Sequence, residues 1–382
     1  MTNQTDQECI TITQTNIIYN TRIFWRQMVY WSSAFFNSIF SGIGNIEETY
    51  TRLYNTPPAY AHMLRLILGR SFQARYTSLF SEYIIILREL VMAALSGQAA
   101  LVNQKVSDLY RNSNERAEFL SEAFPSLSQD VIEEMFNAFH QYEIQEINAY
   151  ITQDYSKIIE IYDNLITQSE TVADYLAKGI IDLITAAPAP GINSNQGPDI
   201  CITYEELNTI LDIAMTWIEL IVWFRIYRVS LMEGRPSRDS YMRLNQIPVE
   251  FGNRIRGFID DEIIDAQVLL MQEYIGLMDR LLNARLSNNI EEMNQAYQLA
   301  IDNINARAEL LTSQFPALDA TAWRNQLYKM HSSLLEMATE FLTGNFVTNI
   351  VIFDGLIDQA EELGFYFVEG LFDLLTDPAQ EV

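Results

Sequence analysis

Only three histidines occur in the 382 residues, His62, His140 and His331, and two of them stand 191 positions apart. His140 is followed by Glu143 and Glu146, one and two helical turns on, and His331 by Glu336. Imidazole with carboxylates at such spacing can hold a metal inside a helical bundle or share a proton. Adding a glutamate from an earlier helix gives two candidate clusters, His140 with Glu82 and Glu143, and His331 with Glu273 and Glu336. Neither has the Glu-x-x-His spacing of di-metal bundles. A packing histidine satisfied by a carboxylate produces the same pattern without any metal. These six residues are therefore candidate positions only, and no catalytic residue, cofactor or metal is assigned.

Other chemistry is missing. There is no phosphate-cradling glycine loop, no nucleophile elbow, no His-Glu-x-x-His and no EF-hand loop. Cys9 and Cys201 make neither a disulfide scaffold nor a zinc site. Asp260-Asp261-Glu262 and Glu291-Glu292 read as helix N-termini rather than calcium ligands. Trp25/Trp31 and Trp217/Trp223 are each six apart, about 240° around a helix after whole turns are removed. They should pack on two neighbours of a buried helix rather than line a ligand cage.

The elements that would position these residues come in two copies. At an offset of 191, Glu82-Tyr83-Ile84 meets Glu273-Tyr274-Ile275, Arg116-Ala117-Glu118 meets Arg307-Ala308-Glu309, and Phe124-Pro125 meets Phe315-Pro316. Gly179, Asp182 and Leu183 meet Gly370, Asp373 and Leu374, and 112–183 against 303–374 shares 22 of 72 positions. The tryptophans match at 192, so one insertion lies between. An internal duplication follows.

Apolar residues recur at three and four in both copies, as in Phe80, Tyr83, Ile84, Leu87, Leu90 and Val91, the period of an amphipathic helix. The expected fold class is all-α: two pseudo-symmetric antiparallel bundles of about six helices each. The helices are placed near 20–42, 46–68, 72–96, 98–123, 128–152 and 155–185, and near 203–233, 238–259, 261–286, 289–314, 319–342 and 346–375. Pro57-Pro58 and Pro248 read as corresponding breaks, and Ser128 and Asp319 as N-caps. The organisation is an arm (1–16), repeat one (17–186), a Pro/Gly/Asn linker (187–202), repeat two (203–376) and a tail (377–382).

With 24 basic and 50 acidic side chains the net charge is −26. That opposes nucleic-acid backbones, which need clustered cations, and anionic membrane surfaces. Only four basic residues are lysine (Lys105, Lys157, Lys178, Lys329) and 20 are arginine, the cation suited to buried or interfacial pairing. With 49% apolar residues the chain can build a large core rather than stay disordered. Phe24–Ile46 and Ile210–Leu231 are the most apolar stretches, but both carry charged or polar interruptions and read as core helices. Met1–Asn16 has no signal-like charge and apolar pattern, so a cytoplasmic or spore- or inclusion-associated place is expected.

The segment Leu109-Tyr110-Arg111-Asn112-Ser113-Asn114-Glu115-Arg116-Ala117-Glu118-Phe119-Leu120, then Phe124-Pro125, resembles a helical family of spore-forming bacteria whose members are often labelled acetylglutamate kinase. That family resembles no kinase fold and has no settled function. Its metal-type positions are His, Asp, His and His. The matching residues here are Met28, Ala59, Tyr83 and His140, and Leu220, Glu250, Tyr274 and His331. The resemblance implies that the scaffold is kept and the metal site eroded. The function expected is non-catalytic, a structural, self-assembling protein whose partner is itself, with neither nucleic acid nor membrane as partner. The alternatives are a degenerate ferritin-like metal-binding bundle and a helical pore-forming protein.

Overall fold

A computed structural model describes residues 10–186, 202–313, 315 and 318–376, with side chains in the last helix described to Leu371. Cys9, Cys201, Pro316, most of the proposed linker and the tail lie outside the described residues. The chain divides into two compact units, Met1–Tyr204 and Glu205–Val382. Eleven helices are found among the described residues, and their only extended pairings are single bridges.

The first unit holds α1 (Ile12–Ser41), α2 (Ile46–Leu95), α3 (Ala99–Ala123), α4 (Gln129–Thr152) and α5 (Tyr155–Ala186). The second holds α6 (Tyr204–Met232), α7 (Arg238–Ile255), α8 (Asp261–Leu286), α9 (Ile290–Thr312), α10 (Ala320–Leu342) and α11 (Phe346–Thr376). α6 begins on the last residue of the first unit. All-α is thus correct, and the five continuous helices of the first unit include α2, which is itself two helices meeting at a kink.

The missing helix of the first unit is a matter of one residue. Residues expected to make two helices run on as α2, which changes direction at Gly69, φ 81° and ψ 175°. Only glycine adopts that conformation without strain. In the second unit the corresponding break is a full loop, 256–260, turned by Gly257 at φ 95°. The prolines are not the breaks: Pro57, Pro58 and Pro248 all lie inside helices.

Two other expectations change. Residues 12–16 belong to α1, because Thr11 and Gln14 form a reciprocal capping box that satisfies free amides of the first turn. Ser128 does not cap α4 with its hydroxyl; its amide donates to Tyr175 Oη (3.0 Å) instead. Asp319 does cap α10, accepting from the Ala322 amide at 2.6 Å. Just ahead of α1, Ile10 pairs antiparallel with Ile202, its amide donating to the Ile202 carbonyl at 2.9 Å.

Contacts recur at the 191-residue offset. Asn112 Nδ2 donates to the Leu79 carbonyl (3.1 Å), and Asn303 Nδ2 to that of Leu270 (3.0 Å). The Asp319 amide donates to Tyr366 Oη (2.9 Å), as Ser128 does to Tyr175. A Cβ on Gly179 would meet Leu127, and one on Gly370 would meet Leu318, both below 3 Å. Arg52 lies over Trp31 and Arg243 over Trp223, each at 5.2 Å. The sequence repeat is therefore a repeat of packing.

All four paired tryptophans are buried. Trp25 packs against Phe80, Phe136 and Phe139, and Trp217 against Phe251 and Trp323. They are core residues, held by edge-on and tilted ring contacts. α6 is long and apolar enough to cross a membrane, but 72% of its most apolar window is buried in the folded chain.

Candidate functional site

In the first unit four side chains from three helices form one closed polar chain. α2 supplies Tyr83, α3 Arg116, and α4 His140 and Glu143. Tyr83 Oη donates to Glu143 Oε1. His140 Nδ1 lies 2.6 Å from Glu143 Oε2, and Arg116 Nη2 lies 2.6 Å from His140 Nε2. A guanidinium can only donate, so Nε2 accepts and the imidazole proton sits on Nδ1, donated to the carboxylate. Burial holds the His140 pKa below its ordinary value, with the Arg116 charge acting the same way against Glu143.

The α4 residues reach this place by helical spacing. Positions 136, 139, 140, 143, 146 and 147 are all buried, a single stripe at three and four. Arg116 is fully enclosed, its guanidinium carbon 4.5–5.0 Å from the rings of Phe80, Tyr83 and Phe136. Burial lowers its pKa to about 10, the charges of Tyr83 and Glu143 opposing. Aromatic faces and one carboxylate keep the cation inside.

One turn beyond Glu143, Glu146 is 0% exposed and neither of its carboxylate oxygens has a hydrogen-bond partner. Burial pushes this carboxyl up to about 8, Ser33 nearby opposing and the Glu143 charge reinforcing. Glu146 is therefore protonated at neutral pH.

The second unit keeps half of this arrangement. α8 supplies Tyr274, α9 Arg307 and α10 His331, with Tyr274 Oη and His331 Nδ1 2.9 Å apart. The positions of Glu143 and Glu146 are occupied by Leu334 and Met337. Arg307 Nε and Nη2, Trp217 Nε1 and His331 Nε2 are buried without partners. Arg307 lies over Tyr274 (5.6 Å) and Trp217 (6.0 Å). Burial takes His331 down to about 4 and Arg307 to about 10. A cavity of about 10 Å³ opens among Trp217, Phe224, Tyr274, Arg307 and Leu334.

The six sequence candidates are thus only partly brought together. His140 and Glu143 are joined. Glu82 is half-buried and touches the cluster only through its charge on Arg116. Glu273 is exposed and accepts from Asn303 Nδ2 at 2.9 Å, while Glu336 is exposed. The second cluster, His331 with Glu273 and Glu336, is not assembled, because α8 and α10 turn both glutamates outward. Metal ligation by His140 would need a free lone pair, and its acceptor nitrogen faces a cation. Among the described residues no group of three His, Cys, Asp or Glu side chains is placed to hold a metal ion.

Sequence reasoning assigned no role to Arg116, Arg307 or the two tyrosines. The signal was present, since all four are identical across the repeat.

A larger recess, about 700 Å³, lies in the first unit beside Ile10, Ile18, Asp174, Lys178, Asp182 and Tyr204. Its polar groups are committed to each other. Arg22 Nε and Nη2 donate to Asp174 at 2.6 and 2.7 Å, Tyr204 donates to the same carboxylate, and Lys178 pairs with Asp182 at 2.6 Å. No family model, curated protein or solved structure matches the chain.

Proposed function

We propose that this chain is a non-catalytic structural protein that packs against copies of itself. The observation that carries the reading is enclosure. Tyr83, Arg116, His140, Glu143 and Glu146 are the residues best able to do chemistry, and none is more than 1% exposed. Proton transfer or nucleophilic attack needs a substrate within hydrogen-bonding reach, and these groups are sealed inside the unit, where Arg116 Nη2 also donates to Ser113 Oγ at 3.4 Å. The second copy supports the same reading. It has lost both carboxylates yet keeps the Asn, Tyr, Gly and Trp packing contacts, so the framework was retained and the charge pattern was not.

Apolar surface supports self-association. On α2, just before Gly69, Met63, Leu66 and Ile67 are exposed, Leu66 by 90%. An exposed apolar cluster on a protein of net charge −26 suits contacts that form once repulsion is relieved. Sedimentation velocity between pH 4.5 and 9 tests this. Larger species should accumulate as pH falls toward the isoelectric point of about 4.4, and on adding magnesium at neutral pH. A monomer under every condition overturns the reading.

A further inference from the structure

In the first unit the buried guanidinium of Arg116 has a carboxylate in its field, reached through His140. In the second unit Leu334 stands where Glu143 does, and no described carboxylate takes over that part. Arg307 is 3% exposed, and two of its N–H donors meet no acceptor, as is also true of Arg116 Nε and Nη1; what the second unit lacks is the carboxylate. A guanidinium stays charged in proteins, and an uncompensated buried charge is strongly unfavourable.

The space beside it is chemically one-sided. The cavity of about 10 Å³ is lined by Trp217, Tyr274, Arg307 and apolar side chains. Its unpartnered polar atoms are Arg307 Nε and Nη2 and the indole Nε1 of Trp217. All three are donors. A water could fill the space, but it would supply no charge. A species that accepts several hydrogen bonds, donates none and carries one negative charge fits both demands. The small volume limits it to a single small ion.

We propose that the second unit binds one small inorganic anion of halide size between Arg307 and Trp217, taking the place that the Glu143 carboxylate holds in the first unit. This does not depend on self-association.

The test compares thermal melting of the full chain in potassium chloride and in potassium gluconate at matched ionic strength, gluconate being too large for the cavity. Chloride at about five times its Kd should raise the Tm by about 2–4 °C. Crystals soaked in bromide should show one anomalous scatterer at hydrogen-bonding distance from Arg307 Nε and Nη2. Leu334→Glu, which restores the carboxylate, should abolish the chloride effect, and Arg307→Met should abolish both the effect and the bromide. Equal melting in the two salts with no bromide at Arg307 overturns the proposal. So does a chloride effect that persists undiminished in Leu334→Glu. The wild-type melting and bromide readouts stand even if a variant fails to fold.

Discussion

Glu146 and His331 show how one kind of burial acts oppositely on an acid and a base. Glu146 has a folded pKa of about 8, above its unfolded value. Its contribution to stability is complete below about pH 4.5 and is lost as pH rises through about 8, on the order of 3 kcal/mol by pH 7. Glu146→Gln keeps the shape and removes the titration. The variant should match wild type near pH 5 and melt higher at pH 8.5. A Tm difference that does not grow with pH refutes a buried proton on Glu146. His331 has a folded pKa of about 4, below its unfolded value. Its contribution is complete above about pH 6.5 and is lost, ~3 kcal/mol in all, as pH falls to about 4. His331→Gln should weaken the second unit at neutral pH and flatten its loss in acid. Urea denaturation at pH 7 and pH 4.5 measures both effects. The first unit thus tolerates acid at Glu146, while the second tolerates alkali at His331.

At the scale of helices, glycines mark where the chain bends and where helices touch. Gly69 has open space around a would-be Cβ, so its demand is purely conformational. Gly69→Ala should cost about 1–3 kcal/mol through backbone strain alone. Gly364 on α11 is the reverse case: its φ is ordinary, but a Cβ would lie 2.5 Å from the Ala214 carbonyl oxygen of α6. Backbone cannot yield as a side-chain tip can, so Gly364→Ala must spread the two helices, at about 1–3 kcal/mol or more. Denaturant titration of both variants checks the pair, and a Gly364→Ala protein as stable as wild type would refute the close approach.

The helices were legible from sequence because amphipathic spacing is local. Their junctions were less so. Pro57, Pro58 and Pro248 read as breaks yet lie within helices, whereas Gly69, one glycine among ordinary helix formers, carries the bend. The His140–Glu143 pair was legible because both lie on one helix, one turn apart. Arg116 joins them from another helix, so only repeat identity pointed to it. Glu273 and Glu336 were misplaced because spacing along the sequence does not fix which way a helix is turned about its axis.

For the molecule as a whole, the duplication gives two copies of one packing scheme with different interiors. The described core of the first unit encloses Glu143 and Glu146, while that of the second encloses no carboxylate. Most of the 50 acidic side chains therefore face outward, where ionic strength acts on them. Raising monovalent salt at pH 7 should promote self-association by screening, measurable as a larger weight-average mass by light scattering. A mass independent of salt would show that repulsion does not limit contact.

The bridge between Ile10 and Ile202 bears on how such a protein could arise and be re-engineered. It places the point where the chain enters the first unit beside the point where it leaves. A unit whose two ends meet can be copied head to tail, inserted into a loop of a host protein, or opened elsewhere and rejoined across the old ends, all without threading chain over its surface. A circular permutant of residues 10–204, cut at the short turn 153–154 between α4 and α5 and closed by a brief glycine-serine link, should therefore retain the helical content of the parent.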